Sequence, residues 1–191
     1  GQWRDGPRET FFQALQHGLG ASDLPLIAED LGDNIGPEIH ELREAFDLPG
    51  MRILQFAFSP DQRSSDFHPH RYTHHTVVYT GTHDNETLVG YFWGTDEATR
   101  QAILDYTGSN GSQIHWDLIR LALMSVADTA VVPMQDILGL DNSARMNTPG
   151  KLGGNWRWRM RPDALTNDIR ERLKLMTTIY ERAVEPPENE H

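Results

Sequence analysis

The sequence predicts an α/β fold of the (β/α) TIM-barrel type, in which helices cover a parallel β-sheet. Along the 191 residues, four short apolar segments alternate with segments of helical periodicity. Each apolar segment is nearly continuous rather than alternating, as expected for strands that are buried on both faces. Polar residues follow each segment. That pattern favours half of a barrel, with its site at the carboxyl ends of the strands, over a small open sheet.

The predicted strands and helices follow one another along the chain. We predict strands at 24–28, 51–58, 76–80 and 129–134, and helices at 11–19, 37–46, 95–106, 116–126 and 168–183. The first helix carries its apolar residues on one face and ends at Gly20, and Pro37 occupies the first turn of the second helix. Trp156 and Trp158 alternate with arginines, which we interpret as a packing edge. We expect residues 1–182 to belong to one barrel-type domain and residues 183–191 to form a flexible tail.

Composition limits the classes of partner. The net charge of -11 disfavours binding to nucleic acid, because phosphate backbones carry the same sign of charge, whereas a neutral substrate is compatible with it. The chain has no cysteine, which excludes disulfides and thiolate metal sites and fits a reducing compartment. No apolar run approaches the ~20 residues that span a bilayer. No signal-peptide pattern opens the chain, so we expect a cytoplasmic protein without a membrane partner.

Two segments place a carboxylate where a predicted strand gives way to polar residues. In 26–32 this carboxylate is Glu29, and in 77–85 it is Asp84. Two carboxylates that face one cleft are the minimum requirement for cleaving a glycosidic bond. The apolar residues at 26–28 also predict an apolar setting for the carboxyl group of Glu29.

Several segments together resemble the amylomaltases, the bacterial 4-α-glucanotransferases. They are Leu-Pro-Leu-Ile-Ala-Glu-Asp-Leu-Gly (24–32), Leu-Pro-Gly-Met-Arg-Ile-Leu-Gln-Phe-Ala-Phe (48–58), Pro-His-Arg-Tyr (69–72), Val-Val-Tyr-Thr-Gly-Thr-His-Asp-Asn (77–85), Val-Val-Pro-Met-Gln-Asp-Ile-Leu-Gly-Leu (131–140), Ala-Arg-Met-Asn-Thr-Pro-Gly (144–150) and Gly-Asn-Trp-Arg-Trp-Arg (154–159). They follow the order of that family, and the resemblance extends from about residue 5 to residue 180. Such an ordered set is far more specific than any single motif.

The resemblance implies an enzyme that transfers α-1,4-glucan segments between maltodextrins with retention of configuration. Its substrates would be maltooligosaccharides and α-1,4-glucans, and it would need no cofactor. The resemblance covers only the C-terminal part of such an enzyme, roughly strands five to eight of its barrel.

The resemblance also implies roles for five residues. Glu29 matches the general acid/base of the family, and Asp84 matches the carboxylate that stabilises the transition state. His83 matches a histidine that contacts the sugar at the cleavage point. Phe56 lies in a motif that lines the sugar cleft, and Asn147 lies in one that contacts glucan hydroxyls.

One motif of the family has no counterpart in this sequence. The family's nucleophile is the aspartate of an Arg-Ile-Asp-His segment, which the 191 residues do not contain and which we expect to precede Gly1. Two hypotheses follow: the chain is the catalytic half of a glucanotransferase, or it is a catalytically inactive glucan-binding fragment of a barrel. Either would depend on an N-terminal half of the barrel or on a self-association partner.

A third hypothesis is a metal-dependent hydrolase built on clustered histidines. The candidate ligands are His68, His70, His74, His75, His83 and Asp84. Zinc accepts such ligands, but the His-Glu-x-x-His spacing is absent, so the sequence favours an enzyme without a metal site.

Overall fold

The computed structural model describes residues 2, 4–32, 35–58 and 66–183. The predicted tail lies outside these residues except for position 183. Within the described part, three strands form one sheet and helices pack around it.

The sheet is parallel throughout. Its strands are β1 (Gly50–Ile53), β2 (Thr76–Tyr79) and β3 (Thr129–Val131). They lie in the order β1-β2-β3, with Ile53 opposite Tyr79 and Tyr79 opposite Val131. The carboxyl ends of the three strands therefore lie at one edge of the sheet. The predicted α/β fold with a parallel sheet is confirmed.

The prediction of a strand at 24–28 is wrong, because this segment forms no ladder with β1. Ala28 donates one backbone hydrogen bond to the Pro49 carbonyl at 2.9 Å. The amide of Met51, the second residue of β1, donates at 2.8 Å to the carboxylate of Asp30 instead of to a backbone carbonyl. A side chain has taken the place of the strand partner, so the segment lies beside β1 without joining the sheet.

Two predicted strands extend too far. The segment 51–58 changes after Ile53 into a 3₁₀-helix, Leu54–Phe58, in which every residue except Phe56 is buried. β3 ends at Val131, two residues before Pro133, which has no amide to donate to a ladder.

Seven helices lie among the described residues. They are α1 (Glu9–Leu19), α2 (Pro37–Ala45), α3 (Leu88–Gly94), α4 (Glu97–Thr107), α5 (Ile114–Met124), α6 (Met134–Ile137) and α7 (Asn167–Ile179). Side chains cap three of their N-termini: Thr87 caps α3, Asp96 caps α4 and Thr166 caps α7. None of the helices in the described ranges is long and apolar enough to cross a membrane.

The main hydrophobic core surrounds α5, the most deeply buried helix. This helix packs against α3, α4, α6 and α7. The buried core residues are Leu54, Ala57, Phe58, Leu88, Phe92, Ile103, Ile114, Trp116, Leu118, Ile119, Leu121, Leu123, Ile137 and Met176. Both α3 and α6 pack on α5. The loops that precede these two helices therefore end at well-packed elements of the core.

Candidate active site

The loop between β2 and α3, residues 80–87, carries two of the predicted site residues. Asn85 Oδ1 accepts hydrogen bonds from the backbone amide of Thr82 at 2.9 Å and from its hydroxyl at 2.8 Å. These two bonds close a tight turn, as Asn side chains often do. The turn places His83 and Asp84 at its exposed tip, past the carboxyl end of β2.

Three of the five predicted site residues come together at this tip. Asn147 Nδ2 donates to Asp84 Oδ1 at 2.5 Å, and His83 Nε2 lies 3.4 Å from the same oxygen. The amide of Asn147 also donates to the His83 carbonyl at 3.1 Å. The Asp84 side chain remains 49% exposed, so the group is open to a ligand.

Arg145 fixes the segment around Asn147 to the β2–α3 loop. Its Nη2 donates to the Asp84 carbonyl at 2.6 Å, and its Nε donates to the Asn147 carbonyl at 2.8 Å. Its Nη1 lies 3.7 Å from Glu86 Oε1. One guanidinium group therefore holds the main chains of both loops in register.

Trp156 supports His83, a contact that the interpretation as a packing edge did not anticipate. Its indole ring lies 5.0 Å from the imidazole ring, tilted by 38°. Its φ is 63°, in the left-handed region that a bulky side chain rarely adopts. Gly153 and Gly154, both also at positive φ, lead into this position. These consecutive glycines were the sequence signal for an unusual backbone beside the site.

The base of the β2–α3 loop rests on the buried carboxylate of Asp136, on α6. Its Oδ2 accepts from the Thr80 hydroxyl at 2.7 Å, and its Oδ1 accepts from the Leu88 amide at 2.8 Å. Burial raises the pKa of Asp136 from 3.8 to about 6, while the two hydrogen bonds act in the opposite direction. Sequence reasoning identified this aspartate only as part of a family motif.

Gln55, which follows β1, braces the same loop from the other side. Its Nε2 donates to the Glu86 carbonyl at 2.8 Å and to the Thr80 carbonyl at 3.3 Å. A Cβ at Gly81 would lie 2.7 Å from this nitrogen, so a glycine is required for the approach. The loop is thus supported from both neighbouring strands.

A cleft of about 160 Å³ lies between the β2–α3 loop and the segments that follow β3. It is lined by Thr82, His83, Asn85, Glu86, Thr87, Pro133, Gln135, Asp136, Arg145 and Met146. Its lining joins the exposed tip of the loop to the buried carboxylate beneath it.

Glu29 lies apart from this group. Its side chain is exposed and has no hydrogen-bond or ion-pair partner among the described residues. Leu26 and Ile27 are 40% and 50% exposed, so the expected apolar setting of its carboxyl group is absent from the described residues. The contact of Ala28 with Pro49 places this segment beside the amino-terminal end of β1, whereas Asp84 follows the carboxyl end of β2.

The neighbouring Asp30 is buried in an ion-pair cluster. Its Oδ2 lies 2.7 Å from Arg43 Nη1 on α2 and 3.5 Å from Arg52 Nη1 on β1. His40 Nδ1 lies 3.9 Å from the same oxygen. This cluster fixes the main chain on the C-terminal side of Glu29.

Phe56 lies at the carboxyl-end edge of the sheet. Its ring is 37% exposed, and its edge meets Phe67 with the ring centroids 5.3 Å apart. Within the described part of the chain, no ring contact joins it to His83.

The histidines of the third hypothesis do not meet at one point, although the rings of His68 and His70 lie 5.3 Å apart. His70 bonds to Tyr106, His74 faces Asp128 at 3.7 Å, and His75 bonds to a backbone carbonyl. In the ranges that the structure describes, no group of three or more His, Cys, Asp or Glu residues could hold a metal ion. The hypothesis of a metal-dependent hydrolase therefore has no site in these ranges.

Comparison with known proteins gives concordant results. A family model described as 4-alpha-glucanotransferase matches residues 1–166. The 4-alpha-glucanotransferase of Synechocystis is 47% identical over 186 residues, which are 96% of this chain and 36% of that protein. The Thermus thermophilus 4-alpha-glucanotransferase is 42% identical over 95% of this chain and 37% of its own length.

Solved structures lead to the same family. The amylomaltase from Streptococcus agalactiae, in complex with acarbose, superimposes with a TM-score of 0.89 at 36% identity. The match covers 96% of this chain and 37% of that one. The chain thus spans little more than a third of the length of these relatives. With the family model, the sequence identities and the superposition in agreement, this chain belongs to the 4-alpha-glucanotransferase family.

Proposed function

We propose that this chain supplies part of the active site of a 4-α-glucanotransferase, which transfers α-1,4-glucan segments between maltodextrins with retention of configuration. The observation that carries the proposal is the hydrogen-bonded group of His83, Asp84 and Asn147 at the tip of the β2–α3 loop. In this proposal the segment 24–30 and the three strands correspond to strands five to eight of an eight-stranded barrel.

Asp84 is the residue that we propose to stabilise the transition state. Its Oδ1 is engaged by Asn147 and His83, and among the described residues its Oδ2 has no partner. Oδ2 can therefore accept hydrogen bonds from ring hydroxyls. Those bonds strengthen as positive charge develops at the anomeric carbon, so they favour the transition state over the bound substrate.

Glu29 is the proposed general acid/base. It protonates the leaving oxygen and then removes a proton from the acceptor hydroxyl, as retention by double displacement requires. This role does not require Glu29 to contact Asp84, since the two act on different parts of the substrate. We propose that polypeptide outside these 191 residues supplies the nucleophile and encloses the exposed Glu29.

The remaining two residues fit a sugar ligand. His83 and Phe56 present partly exposed rings on which the C–H faces of glucose can pack, and the Asn147 amide can bind hydroxyl groups. A neutral glucan also avoids the repulsion that the net charge of -11 would impose on a nucleic acid. A cytoplasmic location stays a prediction.

A second candidate function is glucan binding without turnover. The absence of an Arg-Ile-Asp-His segment from the 191 residues favours it for the isolated chain. The two candidates differ in whether polypeptide beyond these residues completes the site.

Incubation with maltotriose, followed by chromatography of the products, tests the proposal. We expect the full-length protein to release glucose and a ladder of longer maltodextrins, and the 191-residue chain alone to release neither. A ladder from the chain alone would mean that one of its own carboxylates acts as the nucleophile. Absence of products from the full-length protein would contradict the proposed function.

Two substitutions in the full-length protein test the roles. Glu29→Gln and Asp84→Asn should each lower turnover by about 10³-fold or more, with little change in thermal stability. Glu97→Gln is the matched control, because Glu97 is an exposed glutamate on α4 whose carboxylate pairs with Arg100. Turnover of Glu29→Gln close to that of Glu97→Gln would refute the acid/base role.

A further inference from the structure

One buried carboxylate holds both ends of the β2–α3 loop. Asp136 Oδ2 binds the Thr80 hydroxyl at the start of the loop, and Oδ1 binds the Leu88 amide just past its end. The residue is 1% exposed, so these two bonds are shielded from competing water. The segment between them carries His83 and Asp84.

The same carboxylate connects this loop to the chain that carries Asn147. Asp136 lies on α6, which follows β3, and the chain continues from there to Arg145 and Asn147. Gln135, next to Asp136, donates to the Ala144 carbonyl at 3.2 Å and closes this connection. Asp136 thus links the base of the loop that carries Asp84 to the segment that leads to Asn147, below the direct contacts that Arg145 makes with both.

We propose that Asp136 is a positioning residue for glucan transfer, which holds Asp84 in its working place through Thr80 and Leu88. The inference rests on the proposed function. Asp136 lies beneath the loop and acts on the reaction only through the residues that it binds.

The proposed role predicts a specific kinetic signature. Hydrogen bonds from the sugar to Asp84 strengthen in the transition state. A displaced Asp84 therefore stabilises the transition state less, while it changes the stability of the substrate complex little. A misplacement of about 1 Å can cost about 10²-fold in rate. Loss of the Thr80–Asp136 hydrogen bond should therefore lower kcat and leave KM nearly unchanged.

A substitution at Thr80 can remove the Thr80–Asp136 hydrogen bond with little change in side-chain volume. Thr80→Val removes the hydroxyl that binds Asp136, and Thr80→Ser retains it. Thr99→Val is the matched control, because the hydroxyl of Thr99, also buried, donates at 2.9 Å to the carboxylate of Asp96 in the cap of α4. Both valine variants lose a threonine–aspartate hydrogen bond, but only one of these bonds lies beneath the site.

The transfer of maltotriose is measured in the full-length protein well below each variant's melting temperature. We expect Thr80→Val to lower kcat by about 10- to 100-fold with KM within about twofold, Thr80→Ser to restore most of kcat, and Thr99→Val to leave kcat unchanged. Equal kcat values for the two valine variants would overturn the inference while leaving the proposed function intact. Absence of transfer by the unaltered protein would overturn the proposed function and this inference with it.

Hydrogen exchange gives a readout that does not depend on activity. Thr80→Val should increase amide exchange across residues 82–88, and Thr99→Val should not. If Thr80→Val fails to fold, Thr80→Ala removes the same hydroxyl with a smaller side chain, Thr99→Ala becomes its control, and the same two measurements apply. Unchanged exchange in this loop would count against the inference.

Discussion

The carboxyl group of Asp136 couples the candidate site to pH at the level of a single residue. Burial raises its pKa to about 6 in the folded protein, against 3.8 for an unperturbed aspartate. The folded state therefore binds this proton more tightly than the unfolded state does. The resulting stabilisation is fully present below about pH 4 and is lost as the pH rises through about 6.

This linkage predicts the effect of Asp136→Asn on stability. The folded and unfolded pKa values differ by about 2, at about 1.4 kcal/mol per unit. Between about pH 4 and 7, the free energy of unfolding of the unaltered protein should fall by about 3 kcal/mol relative to that of Asp136→Asn. Urea unfolding at several pH values measures the difference. The other charged or titratable residues of the cleft are the same in both proteins, so they do not contribute to the difference; they are His83, Glu86 and Arg145. Parallel pH curves for the two proteins would contradict the raised pKa of Asp136.

The sequence could identify the residues of the candidate site but not their contacts. Asp84 and Asn147 lie in separate motifs, and no local pattern indicates that a hydrogen bond joins them. The contact of Trp156 with His83 depends on the left-handed backbone of Trp156, which follows Gly153 and Gly154. The alternation of tryptophan and arginine predicted a packing edge and gave no indication of this contact. The role of Asp136 depends on burial, which is a property of the packed structure.

At the scale of elements, the Asp30 cluster joins three pieces of the chain. Its carboxylate binds Arg43 of α2, Arg52 of β1 and the Met51 amide, and so holds the segment at 28–32 against the sheet. A Cβ at Gly50 would lie 2.7 Å from Asp30 Oδ2, so this packing requires a glycine at the start of β1.

Asp30→Asn should destabilise the protein strongly. It leaves Arg43 and Arg52, which are only 16% and 22% exposed, beside a neutral group, and the free energy of unfolding should fall by about 3 kcal/mol. Glu44→Gln is the control, because this glutamate is 72% exposed and also pairs with Arg43, so its loss should cost less than about 1 kcal/mol. Thermal unfolding compares them, and similar melting temperatures would contradict a structural role for the cluster.

The elements that the sequence predicts well are those with strong local signals. α2 begins at Pro37 and ends within one residue of the prediction, and β2 at 76–79 matches the predicted 76–80. The strand at 24–28 was wrong because a side chain of Asp30, outside any periodic pattern, binds the β1 amide. α3 was not predicted, since its short aromatic sequence contains two glycines.

At the scale of the whole molecule, many large apolar side chains are exposed. They include Phe11, Leu19, Leu26, Ile27, Trp93, Met124, Val126, Leu152, Trp156, Leu175 and Ile179. Their exposure fits a chain that spans little more than a third of the length of its relatives.

The isolated chain should therefore associate. We expect sedimentation to show species heavier than 21.7 kDa whose share grows with concentration, because association buries apolar side chains. Addition of the remaining polypeptide of the full-length protein should replace them with a defined complex. A monodisperse monomer at all concentrations would contradict this prediction.

The stacking of Trp156 on His83 also gives the site an optical reporter. The emission of an indole ring depends on the groups packed against it, and these two ring centroids lie 5.0 Å apart. The emission of Trp156 should therefore change when a ligand separates the rings. Occupancy of the site could then be followed by fluorescence without any added label.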